Sequence, residues 1–170
     1  GTTLSENETL LKRIFDKDSV FNLRYVTSRN GENRYFIAYF DGMVNNQIID
    51  LNILRPLTLC ERDSTPSALA QRVITTDTFR ITEDLAQACT AMIQGDTLIF
   101  TEGYREIVAA SSKGFQTRSV DEPDFEKNIR GPREGFTESI ITNTALLRRC
   151  LVSPDLKLDM QSVTTFSDRK

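Results

Sequence analysis

Asn30-Gly31 constrains the fold of this chain more than any other pair of residues. Both central positions of a type I′ turn need φ > 0, which Asn and Gly tolerate best, so the pair predicts a β-hairpin. The flanking runs agree. Residues 20–26 alternate, with Phe21, Leu23 and Tyr25 on one side, and Tyr35 to Phe40 follows as the second strand. Glu102-Gly103 marks another tight turn. It joins the buried strand Asp96-Thr97-Leu98-Ile99-Phe100 to a strand from Tyr104 to Ala110. A short strand is expected at Thr78 to Ile81. Hairpins of this kind exclude a purely parallel sheet.

Helical spacing fills the intervals. Ser5-x-x-Glu8 reads as a capping box opening a helix over 5–16, with Leu10, Leu11, Ile14 and Phe15 on one face. Residues 45–54 look helical, with Ile48 and Leu51 facing inward and Ile49 and Ile53 beside them. Arg55-Pro56 is expected to end that helix, because a residue before Pro is pushed away from the α region. Thr65-Pro66 places an N-cap ahead of Pro at the first helical position, starting a helix that runs to about Ile74. The clearest stripe spans 83–94. Thr82 caps it, Glu83 and Asp84 complement its positive end, and Gly95 stops it. Leu85, Ala88, Cys89, Met92 and Ile93 share its apolar face. A final helix over 137–151 carries Ile140, Thr144, Leu147 and Leu151 along one edge. Arg148 and Arg149 fall in its last turn, where cations suit the negative helix end. Strands and helices so interleaved give an α/β fold: a mixed β-sheet with hairpins, packed against several helices. The domain is expected over 1–155, with 156–170 a linker or the start of a second subdomain.

Composition narrows the chemistry. The 170 residues include no His, which removes a Ser-His-Asp triad, a Cys-His dyad and any imidazole metal ligand. A net charge of −3 and a pI near 5.1 argue against nucleic-acid binding. No run reaches the ~18 apolar residues of a membrane span, and no signal-peptide pattern opens the chain. It begins at Gly1 without Met, which reads as an excised segment or a tag remnant. Cys60, Cys89 and Cys150 fit neither a zinc spacing nor a disulfide framework, so reduced thiols are expected. Cys89 lies on an apolar stripe and reads as a small core residue. Cys60 and Cys150 lack a His to activate them.

The most unusual stretch is 121–138, with six acids and three bases. Gly131-Pro132 and Gly135 shape a compact loop directly before the last helix, and Arg130 and Arg133 offer bidentate forks for carboxylates or phosphate. A helix N-terminus beside them favours an anion. The plainer reading is a surface loop whose Arg and Glu side chains pair with each other, at roughly 0–1 kcal/mol per pair. No P-loop and no G-x-G-x-x-G pattern exists in the chain. A carboxylate pair for hydrolysis stays open only because acids are plentiful.

These residues carry a family resemblance. Gly95-Asp96-Thr97-Leu98-Ile99-Phe100-Thr101-Glu102-Gly103-Tyr104 is followed by Lys113-Gly114-Phe115 and Arg118, then by Glu122-Pro123 and Glu126. Arg130-Gly131-Pro132-Arg133-Glu134-Gly135-Phe136-Thr137-Glu138 comes next, with Asn143, Leu146-Leu147-Arg148-Arg149, Pro154 and Leu156 after it. The order resembles the N-terminal soluble domain of the A subunit of GerA-type spore germinant receptors, most specifically over 95–156. Leu51-Asn52-Ile53-Leu54-Arg55-Pro56-Leu57 is similar more loosely, and Cys150 stands where the family often has Arg.

The resemblance implies a signalling part and no enzyme, with no cofactor and no metal. It implies a soluble domain ahead of a membrane region, on the cytoplasmic side of the spore inner membrane, working with a transporter-like B subunit and a lipoprotein C subunit. It implies a homo-oligomer that couples a nutrient germinant to ion release. Glu122, Pro123, Arg130, Gly131, Pro132, Arg133, Glu134, Gly135, Phe136, Arg148 and Arg149 would then form the interaction or signalling motif. Two other readings are weighed beside it: a domain that binds the small nutrient directly, and a carboxylate-dependent hydrolase.

Overall fold

A computed structural model of the chain describes residues 1–61, 65–114 and 135–161. β1 (Phe21–Thr27) and β2 (Arg34–Phe40) pair antiparallel from Phe21↔Phe40 to Thr27↔Arg34, so the hairpin forms around Asn30-Gly31. Its loop is wider than a two-residue turn. Gly31 takes φ +77, but Asn30 stays at negative φ. The Asn30 side chain makes the turn instead: its Oδ1 accepts from Ser28 Oγ at 2.5 Å and from the Glu32 N–H at 3.1 Å. Local bonding of this kind competes with a tight backbone turn.

β3 (Phe79–Thr82), β4 (Asp96–Thr101) and β5 (Ile107–Ser111) complete a five-stranded sheet of order β1-β2-β4-β5-β3. Every ladder among the described residues is antiparallel. Residues 104–106, expected in a strand, lie ahead of β5.

Helices cover both faces, giving the expected α/β fold. On one face α1 (Leu4–Ile14) and α4 (Leu85–Ile93) close over Phe36, Ala38, Phe40, Leu98, Phe100, Ile107 and Ala109. Phe36 and Phe100 stack with centroids 4.4 Å apart. Thr3 caps α1, accepting from the Glu6 N–H at 3.3 Å, so the expected cap Ser5 sits inside the helix. Asp84 caps α4 through the Ala86 N–H at 2.8 Å, two residues past the expected Thr82. Gly95 ends it at φ +96.

The other face carries Tyr35, Ile37, Ile99, Val108 and Ala110 under α2 (46–59) and α3 (66–73). Pro56 does not end α2. The helix is α over Asn46–Ile48, π over Ile49–Leu54 and α again over Arg55–Leu59. The wider π turn accommodates a proline ring that would clash with the carbonyl four residues back. That carbonyl, on Asn52, lacks its usual donor and accepts the Thr75 N–H at 3.2 Å instead. The π turn also shifts the inward face. Ile49, Ile53, Leu54 and Leu57 are buried, while Leu51, expected inward, is 59% exposed.

Candidate functional site

The last helix brings most of the site together. α5 (Ile140–Cys150) starts at Ser139, whose Oγ accepts from the Thr142 N–H at 3.3 Å. Asn143 holds the incoming chain. Its Nδ2 donates to Thr137 O at 2.7 Å, and its Oδ1 accepts from the Thr137 N–H at 2.7 Å. Of the expected motif, Gly135 and Phe136 lie just ahead of this helix. Phe136 is 70% exposed. Glu122, Pro123, Arg130, Gly131, Pro132, Arg133 and Glu134 lie outside the described residues.

The edge Ile140, Thr144, Leu147 and Leu151 is not the buried face of the helix. Ile140 is 60% and Leu151 54% exposed. The buried face is Thr144, Ala145, Leu146 and Arg148. Arg148 was expected as a cation at the helix end; it is fully buried, while Arg149 beside it is exposed. The Arg148 Nη2 donates to Asp18 Oδ2 at 2.6 Å, across 130 positions of sequence. Its guanidinium lies 3.9 Å from the centroid of the Phe40 ring. Phe40 in turn meets Phe15 edge-on at 5.1 Å and Phe21 at 5.9 Å. A cation over an aromatic face gains roughly 0.5–2 kcal/mol.

That contact leaves the in-plane donors unserved. Arg148 Nε and Nη1 are buried with no hydrogen-bond partner. Each buried polar group left unmet costs about 1–3 kcal/mol, and removing one member of a buried pair costs ~3–5 kcal/mol. The pair therefore fixes where α5 sits, while adding less net stability than its burial suggests.

Asp18 is the residue the sequence did not reveal. It lies in Asp16-Lys17-Asp18-Ser19, which has no periodicity and no motif. The turn builds it into place: the Asp18 N–H donates to Phe15 O at 3.2 Å, and Asp18 Oδ1 accepts from the Val20 N–H at 3.3 Å. The same turn receives the end of the described chain. The Ser19 N–H donates to Leu158 O at 2.9 Å, and the Met160 N–H donates to Ser19 Oγ at 2.9 Å. The Lys157 ammonium donates to Ile14 O and lies 5.4 Å from the Phe15 ring centroid. A shallow cleft of about 410 Å³ opens beside the turn, lined by Lys12, Phe15, Asp16, Lys17, Ser19 and Asp159 among others.

Close backbone contacts hold the other end of α5. Gly42, at φ +79, lies under the first turn of the helix: a Cβ there would come within 2.8 Å of Ile141 Cγ2 and 3.0 Å of Ile141 O. The Asn45 N–H donates to Ser112 O at 2.7 Å, and Gly114 packs on Asn45, where a Cβ would come within 2.1 Å of the Asn45 Cβ. Chain on both sides of 115–134 thus meets the 41–45 turn.

The thiols are sequestered or remote. Cys89 is buried on α4, and that burial pushes its thiol up to about 11. Cys60 is buried and Cys150 exposed. Among the described residues no group of three His, Cys, Asp or Glu is placed to hold a metal ion. No described helix is long and apolar enough to cross a membrane.

Comparison with known proteins agrees with this fold. The chain is similar to an uncharacterized membrane protein, YfkQ, of Bacillus subtilis (strain 168), with 32% identity over 125 residues, 72% of this chain and 24% of that protein. It is similar to spore germination protein KA of the same organism, 31% identical over 134 residues, 75% of this chain and 25% of that one. The chain thus spans about a quarter of the length of these relatives. The crystal structure of the N-terminal domain of the A subunit of the Bacillus megaterium spore germinant receptor GerK3 shares the fold. Its TM-score is 0.70 at 24% identity, covering 92% of this chain and 57% of that one. Residues 9–170 match the family model described as Bacillus/Clostridium GerA spore germination protein, and the chain belongs to the GerA spore germination protein family.

Proposed function

We propose that this domain is a non-enzymatic signal-transduction module of a germinant receptor, coupling germinant sensing to a membrane ion-release pathway in spore germination. The observation that carries the reading is the Arg148–Asp18 joint. α5 starts where the 130–136 motif ends, and its last turn is fixed to the turn that also anchors 157–160. A displacement at Phe136 would reach α5 through the Thr137–Asn143 hydrogen bonds and run along the helix to the Asp18 turn. Glu122, Pro123, Arg130, Gly131, Pro132, Arg133, Glu134, Gly135 and Phe136 would be the input, as a connector to a neighbouring subunit. Arg148 would be the output, with Arg149 beside it. Desolvated Arg–carboxylate pairs at such an interface are directional, and loss of one partner costs ~2–5 kcal/mol. The partners in this reading are a transporter-like B subunit, a lipoprotein C subunit and further copies of the chain. The site is the spore inner membrane, with this domain on the cytoplasmic side.

Arg133→Ala in the intact receptor tests it. Slowed germination at an unchanged receptor level is the expected result. Normal germination at that level refutes the connector, and loss of the receptor protein would assign the residue a folding role. Titration with amino acids, sugars and nucleosides by calorimetry checks the sensing step. No heat is expected, and saturable heat with one nutrient would move the assignment to direct ligand binding.

A further inference from the structure

We propose that Asp18 and Arg148 form a latch, a two-state joint whose opening frees the C-terminal half of α5 and residues 157–160 together while the sheet stays folded. The proposal stands on geometry alone, apart from the signalling role.

Three observations carry it. The seat of α5 is thin in apolar contact: the helix buries Ala145, within the cluster on its face, and Leu146 outside that cluster, whereas α4 supplies Ala88, Cys89, Ala91, Met92 and Ile93 to it. The position of α5 therefore depends on the ionic pair more than on hydrophobic burial. That pair is also incompletely satisfied, because Nη2 bonds Asp18 while Nε and Nη1 find no acceptor. Water would satisfy every one of these donors, so lifting the helix end regains hydration as it breaks the pair. A buried pair in that balance sits far closer to its open state than an equally buried apolar contact. Finally, the exit segment has its anchors on the same short turn: Ile14 O for Lys157, and the N–H and Oγ of Ser19 for Leu158 and Met160. Asp18 lies between them. Loss of Arg148 from Asp18 loosens the turn that holds 157–160, and a pull on 157–160 draws on Asp18.

A joint of this kind opens locally, below the threshold of global unfolding. Hydrogen-exchange mass spectrometry of the intact protein under native conditions tests it. Amides of 145–151 and 158–160 are expected to share one protection level, at least tenfold below that of β2 and β4. Asp18→Asn should speed both segments together by tenfold or more and leave β2 and β4 unchanged. The double variant Asp18→Asn/Arg148→Met removes both charges together and fills the space of the guanidinium, so it should keep both segments within tenfold of their original rate. Three results would overturn the latch: protection of both segments equal to that of the sheet in the unsubstituted protein, acceleration of α5 with 158–160 unmoved in Asp18→Asn, or acceleration of either segment by tenfold or more in the double variant. If Asp18→Asn alone yields no folded protein, the unsubstituted profile and the double variant decide.

Discussion

Gly42→Ala separates two ways in which a glycine can matter. Gly42 has φ +79 and supports α5; Gly31 has φ +77 and no heavy atom within 4 Å of a Cβ built there. Forcing an L-residue into the left-handed region costs roughly 1–2 kcal/mol at either position. At Gly42 the new methyl also lands 2.8 Å from Ile141 Cγ2 and 3.0 Å from Ile141 O. The first contact yields by a side-chain shift. The second is backbone, so α5 itself must move, and overpacking of this kind costs about 1–3 kcal/mol. Gly42→Ala should therefore destabilise by ~2–5 kcal/mol and Gly31→Ala by ~1–2 kcal/mol. At about 2–4 °C per kcal/mol for a chain of this size, Gly42→Ala should melt several degrees below Gly31→Ala. Equilibrium urea unfolding of both variants measures the difference, with the m-value watched for any change in compactness. Equal losses at the two positions would refute the claim that α5 rests on Gly42.

Phe100→Ala should cost ~3–5 kcal/mol, because it removes half of the buried Phe36–Phe100 stack; urea unfolding reads it. Asp84→Ala should cost about 1 kcal/mol through the lost cap on α4 and leave the fold unchanged by circular dichroism. Burial raises the Cys89 thiol from 9.0 to about 11, and the hydrogen bond to Glu8 raises Tyr25 from 10.0 to about 12. Folding disfavours the ionised form of each group, so both contributions are complete below pH ~9 and are lost as pH climbs through 9–11 and 10–12 respectively. The urea midpoint should hold from pH 7 to 9 and fall above it, and Cys89→Ala should flatten the 9–11 part of the fall. A thiol reagent should label Cys150 promptly and Cys60 and Cys89 only as the chain opens, which counting labelled thiols per chain will show.

What the sequence revealed of the fold depended on where local chemistry and tertiary packing agree. α4 was legible because its stripe and Gly95 point to one helix, although the cap is Asp84, two residues past Thr82. The β1–β2 hairpin was legible from its alternation, although Asn30 chose a side-chain turn over a left-handed backbone. α2 was cut short because Pro56 is a breaker in an ordinary helix, and nothing local reveals that a π turn will absorb it. The site was legible only by half. Arg148 stood out through its motif, but as a terminal cation. Asp18, 130 positions away in an irregular turn, had no signal at all. Buried ion pairs are non-local, and periodicity reports only on the residues of one element.

α5 shows why periodicity misleads there. The helix has two faces to offer, the apolar stripe through Ile140, Leu147 and Leu151 and the mixed face through Thr144, Ala145 and Arg148. A pattern rule picks the stripe. Ile140 and Leu151 are 60% and 54% exposed, so turning them inward would gain a little over half of the 1.5–3 kcal/mol that a full burial brings, roughly 2–3 kcal/mol for both. The same rotation carries Arg148 off Phe40 and leaves Asp18 a buried, unpaired carboxylate, at a cost of ~3–5 kcal/mol plus the lost cation–π contact. The ionic face wins by roughly 3 kcal/mol. That margin fixes the rotation of α5, and with it the direction in which Gly135 and Phe136 enter the helix and Arg149 leaves it.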